Sequence, residues 1–287
     1  MADRDRTAHV LTVLNLKGGV GKTHTSWLLA SVAQEREQRI LLIDLDTQGN
    51  LSKSFLDNVS LRESVAMLFD PSAEPDVLSL VQRTTFSHID IIPSTAGLAP
   101  FDESNQKEWE KTDGHLGLLD PIAKLRSHYD FIVFDCPPRL SLVSFAALCA
   151  SDHVIVPLEA ADWGAQGIQQ VAEAVAYVRD RFNPKLTLLG YLISRFKQSR
   201  TYQRTYTAGM RKHFGAAMFD TTLNDLADFE RSVTDRIPIT LLAKESKAAQ
   251  VARNFVDEVC RRITARAQGA TRVRSRPRAT VGVAAGQ

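Results

Sequence analysis

Three features are scarce or missing in this sequence: cysteine, long apolar runs and an apolar leader. Three cysteines in 287 residues, scattered along the chain, are too few for a disulfide framework or a zinc site. No apolar run approaches the roughly 20 residues of a membrane span, and the charged first residues are not followed by the apolar segment of a secretory signal. We therefore expect a cytoplasmic protein that does not enter a membrane.

Acidic residues are also absent from the last part of the chain. Residues 261–287 contain seven arginines and no acid, whereas the whole chain has a net charge of only +2, so residues 1–260 carry a net charge of −5. Apolar periodicity is lost at the same place. We expect one folded domain over residues 1–265 and a basic, disordered tail over residues 266–287.

Short apolar runs alternate with longer amphipathic stretches through residues 1–265. The predicted strands are Val10–Leu14, Ile40–Ile43, Ile89–Ile92, Phe131–Phe134, Val154–Val156 and Leu186–Ile193. The predicted helices are Thr23–Glu35, Leu61–Leu68, Leu116–His128, Leu142–Ala150, Ala165–Arg181, Tyr202–Phe214, Asp225–Asp235 and Ser246–Arg262. Continuously apolar strands are typical of a parallel sheet covered on both faces. The pattern predicts an α/β, doubly wound, mostly parallel sheet with helices on both faces.

A glycine-rich turn between the first strand and the first helix is the strongest functional signal. Glycines let successive backbone N–H groups point inward at phosphate oxygens, and a helix start adds its positive dipole end. Lys22 would reach the β- and γ-phosphates, and Thr23 would offer its hydroxyl to magnesium. The candidate phosphate-binding residues are Lys17, Gly18, Gly19, Val20, Gly21, Lys22, Thr23 and His24.

The loop departs from the usual phosphate-loop pattern. Leu16 stands where the first glycine is expected, and a second lysine, Lys17, precedes the glycine pair. Because Lys22 already occupies the bound phosphates, Lys17 can reach across to a nucleotide held by a second subunit.

Three aspartates follow strands that end near this loop. Asp44 and Asp46 follow one buried strand, and Asp135 follows another. Ligands of an open parallel sheet bind at the carboxyl ends of its strands, where carboxylates can hold Mg²⁺ and orient an attacking water. Each aspartate taken alone is equally compatible with capping the next turn.

These segments together resemble the ParA/MinD group of deviant P-loop ATPases, and within it the ParA-type partition ATPases. The resemblance runs from about Val10 to Ala265. The matching segments are Lys17–Thr23, Asp44–Asn50, Ile92–Ser94, Tyr129–Pro138, Val156–Leu158 and Ile237–Ile239.

The resemblance implies a SIMIBI-like P-loop fold and an ATP-dependent homodimer with the nucleotides between its subunits. Lys17 would then be the lysine that crosses the interface, acting with Lys22 in catalysis, and Asp46 would orient the hydrolytic water. Thr23, Asp44 and Asp135 would hold Mg²⁺. It further implies slow ATP hydrolysis that a ParB-like partner or cargo adaptor stimulates, and a dimer that binds nonspecific DNA on the nucleoid.

Three positions differ from the family pattern. His24 stands where Thr or Ser is usual, Thr47 replaces a common proline, and Asp225 replaces an arginine that often binds DNA. Residues 195–212 offer a compensating basic patch with interleaved aromatic residues and no acid. The residues assigned to DNA are Arg195, Lys197, Arg200 and Arg204.

Two functions remain open at this stage. The first is segregation of plasmid or chromosomal DNA through a centromere-binding partner. The second is positioning of a protein cargo, such as a chemoreceptor cluster or a microcompartment. A scaffold that binds ATP without hydrolysing it is disfavoured because Asp46 and Lys17 are both present. A membrane-targeting helix is disfavoured because the tail has few large apolar residues.

Overall fold

The computed structural model describes residues 7–102, 111, 113–160 and 165–274. Its strands are β1 (His9–Val13), β2 (Ile40–Asp44), β3 (Gln82–Arg83), β4 (Ile89–Ile92), β5 (Phe131–Asp135), β6 (His153–Glu159), β7 (Thr187–Phe196) and β8 (Met218–Asn224). They form one sheet in the order β3-β4-β2-β5-β1-β6-β7-β8. The β3–β4 pair is antiparallel and the other pairs are parallel.

Helices cover both faces of this sheet. They are α1 (Lys22–Glu35), α2 (Asn50–Phe55), α3 (Ala99–Asp102), α4 (Leu119–Leu125), α5 (Leu142–Ala150), α6 (Ala165–Arg181), α7 (Thr201–Phe214), α8 (Ala227–Thr234), α9 (Ile239–Leu242) and α10 (Lys247–Arg274). On one face Trp27 of α1 and Phe255 of α10 are buried with Leu11 of β1. On the other face Val143 of α5 is buried with Phe134 of β5. The predicted doubly wound α/β class is therefore confirmed.

Two predicted α-helices are wrong, because the structure has 3₁₀ turns over all or part of their residues. Residues 61–68 contain two short 3₁₀ segments, Leu61–Glu63 and Val65–Leu68. Ser64 between them is extended, because its hydroxyl lies 3.1 Å from the Thr95 hydroxyl and the next N–H bonds to the Pro93 carbonyl. The predicted helix over residues 116–128 is α-helical only in α4, with 3₁₀ turns on either side.

Strands β3 and β8 were not predicted, and α10 is longer than expected. It continues to Arg274, past the boundary at residue 265, so the loss of apolar periodicity marks where the helix leaves the core and not where it ends. Residues 275–287 of the predicted tail lie outside the described residues. The division into a domain and a disordered tail stays a prediction.

Side chains of α10 and α7 cover the backbone of the edge strand β8. The buried Glu258 carboxylate accepts hydrogen bonds from the N–H groups of Asp220 (2.7 Å) and Thr221 (2.8 Å). Arg262 donates to the Met218 carbonyl, and Arg211 donates to the Phe219 carbonyl at 3.1 Å. This edge therefore has few free backbone groups for another strand.

Candidate functional site

The predicted functional loops meet at the carboxyl ends of the central strands. The glycine-rich loop follows β1, which lies between β5 and β6. Strands β2 and β5 are neighbours, and their register places Asp44 directly beside Asp135. Because the strands are parallel, these three loops open at the same edge, where an open α/β sheet binds its ligands.

The glycine-rich loop needs backbone angles that side chains disfavour. Gly19 has φ +74° and Gly21, the N-cap of α1, has φ +86°. The Ser194 hydroxyl of β7 donates to the Val20 carbonyl and so ties the loop to a second strand. A Cβ at Gly21 would stand only 3.3 Å from that hydroxyl oxygen. Two features therefore favour glycine at position 21: the positive φ angle and the short distance to Ser194.

Lys22 begins α1 and is almost fully buried. Its Nζ donates to the Lys17 carbonyl oxygen at 3.1 Å, so the side chain lies along the inside of the loop. Burial lowers the pKa of Lys22, and the negative charges of Asp135 and Asp46 oppose that shift. A buried ammonium inside a glycine-rich loop at the start of a helix is an arrangement that binds an anion.

Asp44 holds the loop that carries Asp46. It is fully buried, and its two oxygens accept hydrogen bonds from the N–H (2.8 Å) and hydroxyl (2.7 Å) of Ser52 and from the N–H of Asp46 (3.1 Å). Burial raises the pKa of Asp44 to about 6. Asp46 is half-buried and accepts the Gln48 N–H, which fixes the direction of its carboxylate.

Asp135 lies behind the start of α1. One oxygen accepts a hydrogen bond from the Ser26 hydroxyl at 3.4 Å, while the other is buried without a hydrogen-bond partner among the described residues. Burial raises the pKa of Asp135 to about 8, and the charge of Asp44 adds to this shift. An unsatisfied buried carboxylate oxygen is costly, so this position favours a cation.

A cavity of about 650 Å³ opens in front of these groups. Its inner wall is formed by predicted residues of the glycine-rich loop and by Asp46; its outer wall is formed by the end of β7, the end of β8 and α8. His24 packs edge-on against Phe229, with ring centroids 4.8 Å apart, and its Nε2 is buried without a hydrogen-bond partner in the described chain. Burial lowers the pKa of His24 to about 4, so the ring is neutral. The volume suits a small organic anion.

The structure brings most predicted site residues together, but not all of them. The residues predicted for nucleotide binding or catalysis that line the cavity are Gly18, Gly19, Gly21, Lys22, Thr23, His24 and Asp46. Lys17 lies on the other side of the loop, where its exposed Nζ stands 3.5 Å from the Glu159 carboxylate. Sequence reasoning missed the α8 wall, Phe229 above all, because no motif marks it.

The predicted DNA-binding residues divide into two groups. Arg195 lines the cavity and donates to the Gly19 carbonyl at 3.2 Å. Lys197 forms an ion pair with Asp225 at 2.9 Å, whereas Arg200 and Arg204 are exposed at and near the start of α7. The negative charge of Asp225, an expected source of repulsion, is thus balanced by Lys197.

Comparison with known proteins identifies the family. A family model described as an AAA domain matches residues 8–188. The chain is 27% identical over 251 residues to the sporulation initiation inhibitor protein Soj of Bacillus subtilis, covering 87% of this chain and 97% of Soj. It is 28% identical over 246 residues to the chromosome partitioning protein ParA of Myxococcus xanthus, covering 84% of each. The chain belongs to the ParA-type P-loop ATPases.

Solved structures agree with the fold of a ParA-type ATPase. A cobyrinic acid a,c-diamide synthase from Mycobacterium smegmatis with bound ADP and magnesium is 26% identical, with a TM-score of 0.73, covering 90% of this chain and 96% of that one. A variant of McdA from Cyanothece in complex with ATP is 20% identical, with a TM-score of 0.78, covering 90% and 97%. The second likeness shows the fold alone.

The helices of this ParA-type domain do not have the character of membrane spans. Within the residues described, every helix is either too short or too polar to pass through a bilayer.

Proposed function

We propose that this ParA-type protein is a slow ATP hydrolase that works as a switch. With ATP it forms a homodimer and binds double-stranded DNA without sequence preference. A ParB-like partner stimulates hydrolysis and releases it, which segregates plasmid or chromosomal DNA in the nucleoid. The observation that carries the proposal is the buried Lys22 inside a phosphate loop, with Asp44, Asp46 and Asp135 at adjoining strand ends.

The residues present fit ATP with magnesium. Magnesium bound there would neutralise phosphate charge. Thr23, Asp44 and Asp135 would hold it, and the buried Asp135 oxygen without a described partner supports this assignment. Among the described residues no three His, Cys, Asp or Glu side chains form a metal cluster of their own. This agrees with an ion that takes the rest of its ligands from phosphate and water.

Asp46 is the residue that we assign to the attacking water. It lines the cavity, and the Asp44 carboxylate and the Gln48 N–H hold it on both sides. A carboxylate fixed in this way can orient a water and accept its proton. Asp44 supports that geometry, because it accepts a hydrogen bond from the Asp46 N–H and is itself fixed by two hydrogen bonds from Ser52 of α2.

The position of the Lys17 side chain is an argument for the proposed homodimer. Its side chain points away from Lys22 and is exposed, so it can contribute charge to a nucleotide in a second subunit. The ion pair with Glu159 is at the surface and is weak.

Lys197, Arg200 and Arg204 support DNA binding. They are exposed and close in sequence, and a dimer doubles their number on one particle, which makes affinity depend on ATP. A second candidate function is positioning of a protein cargo. It is favoured by Asp225, which pairs with Lys197 and so reduces the positive charge offered to DNA.

Three alanine variants test the proposal. Lys22→Ala removes a charge-assisted contact and should weaken ATP binding about 10- to 100-fold. Lys17→Ala should bind ATP as a monomer without dimerising. Asp46→Ala should dimerise with ATP but release phosphate about 100-fold more slowly.

Calorimetry, size-exclusion chromatography with ATP and a phosphate-release assay measure the three effects. Lys124→Ala, at an exposed lysine on α4, is the matched control. An ATP dimer formed by Lys17→Ala as readily as by the wild type would exclude the role of Lys17 across the interface.

A further inference from the structure

Arg195 has an unusual backbone conformation at the end of β7. Its φ is +50°, in the left-handed region that residues with a Cβ disfavour. Strain of this kind persists where the surrounding structure holds it, and it clusters at functional sites. The conformation places the side chain over the phosphate loop and not along the surface of the sheet, since its guanidinium reaches the Gly19 carbonyl.

Two consecutive residues of β7 hold the phosphate loop. Ser194 donates to the Val20 carbonyl and Arg195 Nη1 donates to the Gly19 carbonyl at 3.2 Å. One guanidinium has five N–H donors in a planar fork, and this contact uses one of them. The side chain is exposed and lines the same cavity as Lys22. Donors are therefore available on the cavity side of the loop.

The positive charges that line the cavity, those of Lys22 and Arg195, are the groups that can bind an anionic ligand. Asp225 also lines the cavity, but its carboxylate is paired with Lys197. Asp46 and Glu230 are the other acidic lining residues. The positive charge of Arg195 reaches the interior, because it adds to burial in lowering the pKa of His24. An arginine stays charged at every physiological pH.

We infer that Arg195 is a nucleotide-binding residue that contacts the phosphate chain of a nucleoside di- or triphosphate in the cavity that Lys22 also lines, and that it does not serve DNA binding. This inference rests on the proposed nucleotide site. Arg195 then has a different role from the basic residues that follow it in the sequence. Arg200 bonds to the Tyr202 hydroxyl (2.9 Å) and Arg204 to the Gln198 carbonyl (3.1 Å), both on the exposed surface of the α7 region.

The first test compares Arg195→Gly with Arg200→Ala in the full chain. Glycine suits a positive φ, so Arg195→Gly removes the side chain and relieves the backbone, and we expect a melting temperature at or above that of the wild type. Calorimetric Kd values for ADP and ATP should rise at least tenfold in Arg195→Gly and stay within twofold in Arg200→Ala. Arg195→Lys should recover part of the loss, because it keeps the charge without the fork.

The affinity for duplex DNA should change in the opposite way in the same two variants. At nucleotide concentrations that saturate each variant, Arg195→Gly should bind duplex DNA within twofold of the wild type, and Arg200→Ala should bind it more weakly. ADP binding by Arg195→Gly within twofold of the wild type overturns the inference. If Lys22→Ala loses ADP binding in the same assay, the nucleotide site stands and only the role of Arg195 falls; if neither variant loses it, both proposals fall.

A salt titration distinguishes phosphate contact from loop holding. A guanidinium that touches phosphate contributes a screened charge interaction, so the Kd for ADP should depend less on salt in Arg195→Gly than in the wild type. A side chain that only holds the Gly19 carbonyl leaves the salt dependence unchanged. An unchanged slope therefore overturns the phosphate contact even when the affinity falls.

Discussion

At the scale of single residues, His153 makes the stability of the protein depend on pH. It is buried, its Nδ1 lies 2.7 Å from the Thr187 hydroxyl, and burial lowers its pKa to about 4. An unfolded histidine has a pKa of about 6.5, so the unfolded state binds the proton more tightly. The stabilisation is complete above pH 6.5 and is lost as the pH falls from 6.5 towards 4.

His153→Asn should remove this dependence, since asparagine can bond to Thr187 without titrating. Between pH 7 and pH 5 the wild type should lose about 2 kcal/mol more unfolding free energy than the variant. Urea denaturation at the two pH values measures the difference. His128→Asn, at an exposed position, should keep the wild-type dependence. Equal pH dependence in wild type and His153→Asn would show that His153 binds a proton as readily in the folded state as in the unfolded state.

Sequence predicted the residues of the site that lie within a few positions of one another. Spacing alone brings Lys22, Thr23 and the loop glycines together, and strand ends bring Asp46 to the same edge. Arg195 was assigned to DNA because it begins a run of basic residues. Its true neighbour, Gly19, is 176 positions away, and only the order of β1, β6 and β7 joins them.

At the scale of elements, β7 and β8 approach closely at Gly190. A Cβ there would stand 2.8 Å from the Ala217 carbonyl oxygen and 2.9 Å from a ring carbon of Phe219. Gly190→Ala should therefore lower the unfolding free energy by about 1–3 kcal/mol. Gly167→Ala, in α6 with open space around it, should instead raise it by up to about 1 kcal/mol.

Urea denaturation of the two glycine variants at one pH measures both changes. An equal unfolding free energy for Gly190→Ala and the wild type would mean that β7 and β8 can move apart at this position without loss of stability. The comparison is matched because both substitutions add the same methyl group.

Elements with a clear apolar period were predicted well, and elements fixed by distant contacts were not. Helices α5 and α6 begin and end at the predicted residues. The apolar face of α6 repeats over several turns, and α5 is a nine-residue run that is buried throughout. Strand β8 contains two threonines and an aspartate, and it is a strand because β7, Glu258 and Arg262 satisfy its backbone. Those partners cannot be read from its own seven residues.

At the scale of the whole molecule, Asp225 offsets positive charge on the surface that we propose for DNA binding. Asp225→Asn would free Lys197 from its 2.9 Å ion pair and remove one negative charge. We expect the ATP-saturated variant to bind duplex DNA more tightly, with a salt slope steeper by about one. A mobility-shift assay at several salt concentrations measures both.

The control for this prediction is Asp235→Asn. Asp235 is in an ion pair too, with Arg231. That pair joins α8 to the residue that follows it and does not involve Lys197. Its loss should leave the salt slope unchanged. Unchanged DNA affinity in Asp225→Asn would exclude Lys197 from the DNA surface and would favour a protein cargo.

The two edges of the sheet decide how copies of this chain can assemble. Within the described part of the chain, one edge is the two-residue β3 and the other is β8, whose backbone groups bond to Glu258, Arg211 and Arg262. Fibres that grow by strand addition need a long free edge. The homodimer that we propose would therefore be held by loops and side chains, and an isologous contact of that kind closes after two subunits. At high cellular concentration we expect pairs that stop growing, not filaments.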